Sequence, residues 1–160
     1  MALTIGSAIP KLEITTKTSK GLDVINTETY FKGRKIIVFS VPGAFTATCS
    51  EKHLPGYVKN FEAFNSAGID AIACLAVNDA HVMFAWAEQR QATAIDLLAD
   101  SRAMFSDQLG LTTDMGPVLG IRASRSAFVV EDGIITHFFR EEPKAFEVSD
   151  AETLLSVITS

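Results

Sequence analysis

Of the two cysteines in the sequence, Cys49 stands where a thiol is most easily activated. An apolar run at residues 36–39 ends in a Pro42-Gly43 break, and a helical pattern opens within a few residues. Backbone N–H groups and the positive end of the helix dipole meet at such a join. Both stabilise a thiolate, which is the reactive form of cysteine. Cys49 is therefore the candidate nucleophile, with a small buried apolar residue as the alternative interpretation.

Cys74 has the opposite setting. It lies in the apolar run at residues 72–77 without a nearby cation, which predicts an inert core thiol. The sequence has no CxxC pair, which argues against a dithiol exchange enzyme. His53, His81 and His137 are scattered and lack the ligand spacing of a zinc site, so we expect neither a metal nor another cofactor.

Two polar residues close to Cys49 could share its site. His53 follows four positions later and would lie on the same helix face. It could act as a base or as a supporting cation, although a solvated or hydrogen-bonded helix histidine is the favoured interpretation. The Thr46 hydroxyl could contact the thiolate, and a simple helix N-cap explains Thr46 equally well.

Arg122 and Arg125 are the candidate cation partners. The alternation of residues 123–130 predicts one strand, and the two arginines would then face opposite sides of the sheet. At most one of them would point at Cys49, and the residue pattern does not choose between them. Asn78 and Asp79 follow another predicted strand, at the edge where α/β folds bind ligands, although helix capping explains them as well.

The composition limits the classes of function. The 160 residues fit one domain spanning residues 1–160, with 48% hydrophobic residues and a net charge of −5. A negative charge without a basic cluster argues against nucleic acid and membrane surfaces as partners. No apolar run is long enough for a bilayer-spanning helix, and the N-terminus lacks the pattern of a secretory signal. Two cysteines without an export signal indicate a reducing, cytoplasmic location.

Hydrophobic periodicity predicts the elements of the first half of the chain. They are a β-hairpin or irregular cover at residues 1–25, a capped helical turn at 26–31, a buried strand at 36–39 and a helix through residues 54–68. Pro55 lies inside this helix, where we expect a kink or a break. Thr46 or Thr48 is predicted as the N-cap, and Glu51 fits a capping box with Thr48.

The second half continues the pattern. It predicts a strand at residues 69–77, a helix at 82–90, a short strand with flanking loops at 95–98 and 104–105, a helical turn at 107–111, a loop at 112–120, strands at 123–130 and 134–139, and a helix at 151–158. Asp132-Gly133 is a hairpin signal and Ser149 a predicted cap. The order βαβα, β-hairpin, α predicts an α/β fold of thioredoxin-like layout, with a central mixed β-sheet flanked by helices.

The residues around Cys49 also match a known motif. Pro42-x-x-x-Thr46-x-x-Cys49 is similar to the active-site motif of peroxiredoxins, and the stretch VPGAFTATCSEKHLPGY resembles the peroxiredoxin-5, or type II, subfamily. The similarity continues through residues 73–80 and 83–86 and returns at residues 125–133. It therefore covers nearly the whole chain.

This resemblance implies a thiol-dependent peroxidase acting on hydrogen peroxide and alkyl hydroperoxides. Cys49 would attack the terminal oxygen of the hydroperoxide and become a sulfenic acid. Thr46 would hydrogen-bond the thiolate and the peroxide, and Arg125 would stabilise the thiolate and the charge on the leaving oxygen. Pro42 would shield the thiolate from water. The backbone N–H groups of Thr48 and Cys49 would complete an anion-binding cradle.

Two departures from the family pattern matter. Ala47 stands where many relatives carry proline, so we expect a less rigid turn. No cysteine follows Cys74, so the C-terminal resolving cysteine of some relatives is missing. We expect an external thiol, namely glutathione, a glutaredoxin or a thioredoxin, to reduce the sulfenic acid. A disulfide with Cys74 is the weaker alternative, because a buried strand thiol would have to leave the core to reach Cys49.

Two other functions stay open at this point. A non-catalytic redox sensor or chaperone-like binder on the same fold would be oxidised at Cys49 without turning over. A structural thioredoxin-like domain would keep an ordinary thiol pKa at Cys49. The resemblance also implies a homodimer that pairs near the active-site loops, with which Phe45 and a mean hydropathy of +0.23 are compatible.

Overall fold

The computed structural model describes residues 4–159, with the side chain of Cys49 outside the description. The strands are β1 (Glu13–Thr18), β2 (Gly21–Asn26), β3 (Lys35–Ser40), β4 (Ala71–Ala76), β5 (Asp96–Ala99), β6 (Thr112–Asp114), β7 (Ile121–Ala123), β8 (Ser126–Glu131) and β9 (Ile134–Arg140). The helices are α1 (Thr27–Phe31), α2 (Leu54–Lys59), α3 (Phe61–Ser66), α4 (Ala80–Gln89), α5 (Met104–Gln108), α6 (Gly116–Leu119) and α7 (Ala151–Thr159), with a π-helical turn at Cys49–His53.

Seven of these strands form one mixed sheet in the order β2-β1-β5-β4-β3-β8-β9. The central strands β3, β4 and β5 are parallel, whereas β8 and β9 continue the sheet antiparallel beyond β3. The hairpin β1–β2 closes the other side through an antiparallel contact of β1 with β5. Helices flank the sheet, so the predicted thioredoxin-like layout and the N-terminal hairpin are confirmed.

The core lies on both faces of this sheet. All six residues of β4 are buried, as expected for a continuous apolar run between two layers. Alternate residues of β3 point to opposite faces, with Ile37 and Phe39 in one cluster and Ile36 and Val38 in the other. The first cluster also holds the side chains of Tyr57, Trp86 and Leu154, and the second holds Phe31, Phe105 and Phe128.

Residues 112–130 differ most from the prediction. The expected loop at 112–120 contains β6 and α6, and the single strand expected at 123–130 is two strands in different sheets. Strand β7 pairs with β6, while β8 joins the main sheet beside β3. The break falls at Ser124 and Arg125, because the Ser124 N–H donates to the Leu111 carbonyl and leaves the main ladder.

Residues 104–105 open α5 and do not flank a strand. The carboxylate of Asp100 accepts hydrogen bonds from the backbone N–H groups of Phe105 and Ser106 at 3.1 and 2.7 Å. A carboxylate at a helix start satisfies donors that have no intrahelical acceptor. This contact comes from a residue outside the helix, so the local apolar pattern did not reveal it.

The helix that follows Cys49 is irregular in a way that Pro55 explains. Proline cannot donate to the carbonyl four residues earlier, and its ring crowds that carbonyl. The chain accommodates Pro55 with the π-helical turn Cys49–His53 directly before it, where we expected a kink or break. The break itself comes at Asn60, between α2 and α3.

Outside the helix that carries Cys49, two of the predicted caps are confirmed and one is wrong. Asn26 accepts from the Thr29 N–H at the start of α1, and Asp79 accepts from the Val82 N–H at the start of α4. At the last helix Asp150, not Ser149, accepts from the Thr153 N–H. Among the described residues, no helix combines the length and the apolar composition that crossing a bilayer requires.

Candidate active site

The candidate site begins in the turn that follows β3. The Thr46 hydroxyl donates a hydrogen bond to the Gly43 carbonyl at 2.8 Å, which folds the turn back on itself. The Ala44 N–H donates to the Asn78 side-chain oxygen at 2.9 Å. Asn78 therefore holds the turn to the carboxyl end of β4, a role different from the ligand binding and the helix capping that the sequence suggested.

Thr46, and not Thr48, occupies the N-cap of the helix that carries Cys49. The Ser50 N–H donates to the Thr46 carbonyl at 2.9 Å, and the helix runs from residue 47. The predicted capping box of Thr48 and Glu51 is therefore wrong. Thr48 and Cys49 take the second and third helical positions, whose N–H groups have no acceptor within the helix. This is the backbone arrangement that favours an anion.

The residue after Cys49 is anchored from α4. Trp86 donates from its indole Nε1 to the Ser50 hydroxyl at 2.8 Å, and both side chains are buried. A buried tryptophan needs an acceptor for its N–H, so this contact fixes the first turn of the helix against the core. The sequence predicted a helix at residues 82–90 but did not indicate the polar partner of Trp86.

Arg122 braces the other end of the turn. Its Nη1 donates to the Pro42 carbonyl at 3.2 Å, and its Nε donates to the Leu119 carbonyl at 2.8 Å. A Cβ added at Gly43 would lie 2.6 Å from the Arg122 Nη1 atom. A side chain at this position would therefore displace the guanidinium, which packs directly against the backbone of the turn.

Arg125 reaches the same region from the break between β7 and β8. Its Nη1 lies 2.9 Å from the Nδ1 atom of His53, and its guanidinium carbon lies 5.9 Å from the centre of the Phe146 ring. The expectation that Arg122 and Arg125 lie on opposite faces of one strand is wrong, because the strand is interrupted between them. Both arginines contact the segment that holds Cys49.

His53 is fully buried and bonded at both ring nitrogens. Its Nε2 lies 3.0 Å from the Ser149 carbonyl, and Nδ1 faces Arg125. Burial, reinforced by the positive charge of Arg125, lowers the pKa of His53 from its usual 6.5 to about 3. The imidazole is therefore neutral at physiological pH. It confirms the hydrogen-bonded histidine predicted from sequence and does not act as a supporting cation.

Ser149 is held by a carboxylate clasp at the end of β9. The Glu141 side chain accepts hydrogen bonds from the backbone N–H groups of Glu147, Val148 and Ser149 and from the Ser149 hydroxyl, at 2.7 to 2.9 Å. Burial opposes ionisation, but these donors prevail and keep the pKa of Glu141 below its usual value. Sequence reasoning missed the clasp because the donors are backbone groups of a loop.

Cys74 belongs to the same core cluster as Tyr57. It is buried in β4, in register with Phe39 of β3, so its predicted core location is confirmed. The described residues contain no group of three or more histidine, cysteine, aspartate or glutamate side chains able to hold a metal ion. Arg122 and Arg125 place two positive charges against the turn and the helical segment around Cys49, an arrangement that favours a thiolate at this position.

The sequence and the fold are similar to those of known proteins. The Redoxin family model matches residues 4–155. A peroxiredoxin of Synechocystis sp. is 41% identical over 140 residues, which are 82% of this chain and 74% of that protein. Reduced Prx3 of Vibrio vulnificus in complex with hydrogen peroxide aligns with a TM-score of 0.95 at 40% identity, over 98% of this chain and 99% of its own. Peroxiredoxin 5 of Alvinella pompejana aligns with a TM-score of 0.85 at 30% identity, over 98% of each chain.

The neutral state of His53 predicts how stability depends on pH. The unfolded chain binds a proton at this histidine below about pH 6.5, whereas the folded chain does not until about pH 3, so stability is lost as pH falls below 6.5. We expect the free energy of unfolding to fall by about 1.4 kcal/mol from about pH 7.5 to about pH 5.5 because of His53. Urea unfolding at both pH values measures this loss.

The matched variants are His53→Asn, which should remove the loss, and His81→Asn at an exposed histidine, which should keep it. Equal stability of the unmodified protein at the two pH values would contradict a neutral, buried His53.

Proposed function

The chain belongs to the redoxin family and is a peroxiredoxin, a thiol-dependent peroxidase, and we propose that Cys49 is its peroxidatic residue. The Cys49 thiolate attacks the terminal oxygen of a hydroperoxide, the O–O bond breaks, and the sulfur is oxidised to a sulfenic acid. The leaving alkoxide or hydroxide takes up a proton to become alcohol or water. The observation that carries the proposal is the helix start, with Thr46 as N-cap and Cys49 at the third helical position.

Electrostatics near this position favour the thiolate and the developing charge on the leaving oxygen. We propose that Arg125 supplies the positive charge and that the N–H groups of Thr48 and Cys49 complete the cradle. Preorganised donors of this kind lower a barrier most when they are fixed before the substrate arrives. The contact of Arg125 with His53, four residues beyond Cys49, supports this role because it holds the cation next to the same helical turn.

Thr46 and Pro42 orient the substrate and the turn. The Thr46 hydroxyl proton is donated to the Gly43 carbonyl, so the lone pairs of its oxygen are directed elsewhere. We therefore propose that Thr46 accepts the hydrogen bond of the peroxide O–H and so aligns the peroxide. Pro42, half-buried and held through its carbonyl by Arg122, shields the thiolate from water.

Another thiol must reduce the sulfenic acid of Cys49 back to its thiol. We propose that it comes from outside the chain, from glutathione, a glutaredoxin or a thioredoxin, in a reducing compartment such as the cytoplasm. The first external thiol condenses with the sulfenic acid, releasing water, and a second thiol reduces the resulting mixed disulfide. The burial of Cys74 in the middle of the sheet supports an external thiol over this internal one.

Substitution of the two cysteines tests the proposal directly. We expect Cys49→Ser to abolish peroxide-dependent oxidation of the thiol reductant, because a serine hydroxyl is not ionised at neutral pH. Cys74→Ala, which buries no new polar group, should retain activity within about twofold. Turnover is measured as reductant consumed per enzyme, and many cycles per molecule distinguish a peroxidase from a redox sensor. Activity retained in Cys49→Ser would contradict the proposal.

Mass spectrometry tests the one-cysteine cycle. One equivalent of hydrogen peroxide without reductant should give a sulfenic acid at Cys49, which a diketone reagent traps. Subsequent glutathione should give a 1:1 mixed disulfide on Cys49, and Cys74→Ala should behave identically. An intramolecular disulfide between Cys49 and Cys74 as the main product would contradict reduction by an external thiol.

We also propose that the protein forms a homodimer through the surface beside the turn. Phe45, Val118 and Ile121 are apolar yet 52%, 89% and 52% exposed. They belong to neighbouring segments, because Arg122 joins α6 and β7 to the turn through its bonds to the Leu119 and Pro42 carbonyls. Apolar side chains gathered in this way mark a surface that a partner covers.

Light scattering tests the dimer. The unmodified protein should elute with about twice the chain mass of 17.3 kDa, and Val118→Glu should shift it towards the monomer by burying a charge in the interface. Leu22→Glu is the matched control, because Leu22 is 60% exposed on the edge strand β2, away from the turn, and should leave the mass unchanged. A monomeric unmodified protein at all working concentrations would refute the dimer.

A further inference from the structure

We propose that His53 is a positioning residue that holds the guanidinium of Arg125 in place for the peroxidase reaction. The inference rests on the proposed role of Arg125 and adds a residue that the active-site motif Pro42-x-x-x-Thr46-x-x-Cys49 does not contain. The observation that carries it is the 2.9 Å contact between the Arg125 Nη1 atom and the His53 Nδ1 atom, made by a side chain with no exposed surface.

The partners of the two ring nitrogens fix the tautomer of His53 without ambiguity. A guanidinium only donates hydrogen bonds, so Nδ1, which faces Arg125, must be the unprotonated acceptor. A carbonyl only accepts, so Nε2, which faces Ser149, must carry the hydrogen. The ring is thus held in the one neutral form that satisfies both contacts at once.

A neutral acceptor at His53 matters because Arg125 must keep its positive charge to act on the thiolate. A carboxylate in the place of His53 would bind Arg125 and cancel much of its charge. An imidazole lone pair orients the guanidinium and leaves its full positive charge for the thiolate and the leaving oxygen. His53 therefore fixes the direction of Arg125 at no loss of net charge.

His53 itself is fixed from the opposite side. The Ser149 carbonyl that accepts from Nε2 also accepts from the Tyr57 hydroxyl at 2.7 Å, and the Glu141 clasp holds Ser149. The Phe146 ring lies edge-on to the imidazole, with 5.0 Å between ring centres. Since the ring cannot rotate without breaking these contacts, the position of Nδ1 is set by the loop at residues 142–149.

Two amide variants separate the two contacts of His53. Asparagine places its amide close to the position of Nδ1 and can still accept from Arg125, whereas glutamine reaches the position of Nε2 and keeps the bond to Ser149. The rate of Cys49 oxidation by hydrogen peroxide is followed by stopped flow through the fluorescence of Trp86, the single tryptophan. We expect His53→Gln to slow oxidation about tenfold and His53→Asn to stay within about threefold of the unmodified protein.

A double-mutant cycle shows whether His53 acts through Arg125. Arg125→Gln should slow oxidation about 100-fold or more, and adding His53→Gln should slow it no further, because the group that His53 orients is already gone. Tyr57→Phe is the structural control. It removes a bond to the same Ser149 carbonyl without touching Arg125, so its rate should stay within about twofold.

The rate of Arg125→Gln separates a failure of the proposed role of Arg125 from a failure of the role of His53. An unchanged rate in Arg125→Gln would overturn the proposed role of Arg125 and the inference with it. If Arg125→Gln is slow, the inference alone fails under any of three results. The first is an unchanged oxidation rate in His53→Gln. The second is a tenfold effect of His53→Gln in the Arg125→Gln background, as large as in the unmodified protein. The third is an oxidation rate of His53→Asn or Tyr57→Phe as slow as that of His53→Gln.

Discussion

An arginine side chain can donate hydrogen bonds but cannot accept them, and this constraint orders the surroundings of the helix start. Every hydrogen-bond partner of Arg125 and Arg122 must be an acceptor, and those described include two carbonyls and one imidazole nitrogen. Because Arg125 lies at Nδ1, His53 must be neutral and must donate from Nε2. That donor requires a carbonyl, which Ser149 provides. The contacts that begin at Arg125 therefore continue through His53 and Ser149 to the side chain of Glu141.

The β8–β9 hairpin brings the two ends of this chain of contacts together. Ser126 pairs with Arg140, so Arg125 and Glu141 are neighbours just beyond the paired residues, and the Glu141 N–H donates to the Arg125 carbonyl at 3.0 Å. The register depends on the two-residue turn at Asp132 and Gly133, both with positive φ, and on an irregularity at residues 129–130. A slip of one residue would invert the faces and separate the arginine from the loop that orients it.

The sequence was sufficient for features that depend on local patterns. The buried strands β3 and β4, the turn at Asp132-Gly133 and the caps at Asn26 and Asp79 follow from apolar runs and short-range polar chemistry. Features that depend on a bond between distant segments were missed. The break at Ser124–Arg125 arises from a hydrogen bond to Leu111, 13 residues earlier, so the alternation of residues 123–130 did not indicate it.

In the candidate site, too, the sequence showed local patterns but not the contacts between distant residues. The motif spacing singled out Cys49, Thr46 and Pro42, because residue types at fixed separations are visible in a chain, whereas Arg125 was implied by the family resemblance at residues 125–133. His53 was noticed four residues after Cys49, but its burial and its tautomer depend on Ser149, a residue 96 positions away. A local pattern therefore allowed a base, a cation or a structural histidine. Only the partners on both ring nitrogens determine that it is a neutral acceptor.

The placement of Cys74 bears on how the oxidised enzyme can be regenerated. Strand β4 is central, with backbone hydrogen bonds to β3 on one side and to β5 on the other, and Cys74 lies in the middle of its buried run. Central strands open at a free-energy cost close to that of unfolding the whole domain, whereas loops and termini open far more readily. A disulfide to Cys74 would require the costly kind of opening in every catalytic cycle. A thiol that approaches the turn from solvent requires no such opening of the sheet, because Ala47, two residues before Cys49, already lies at the surface.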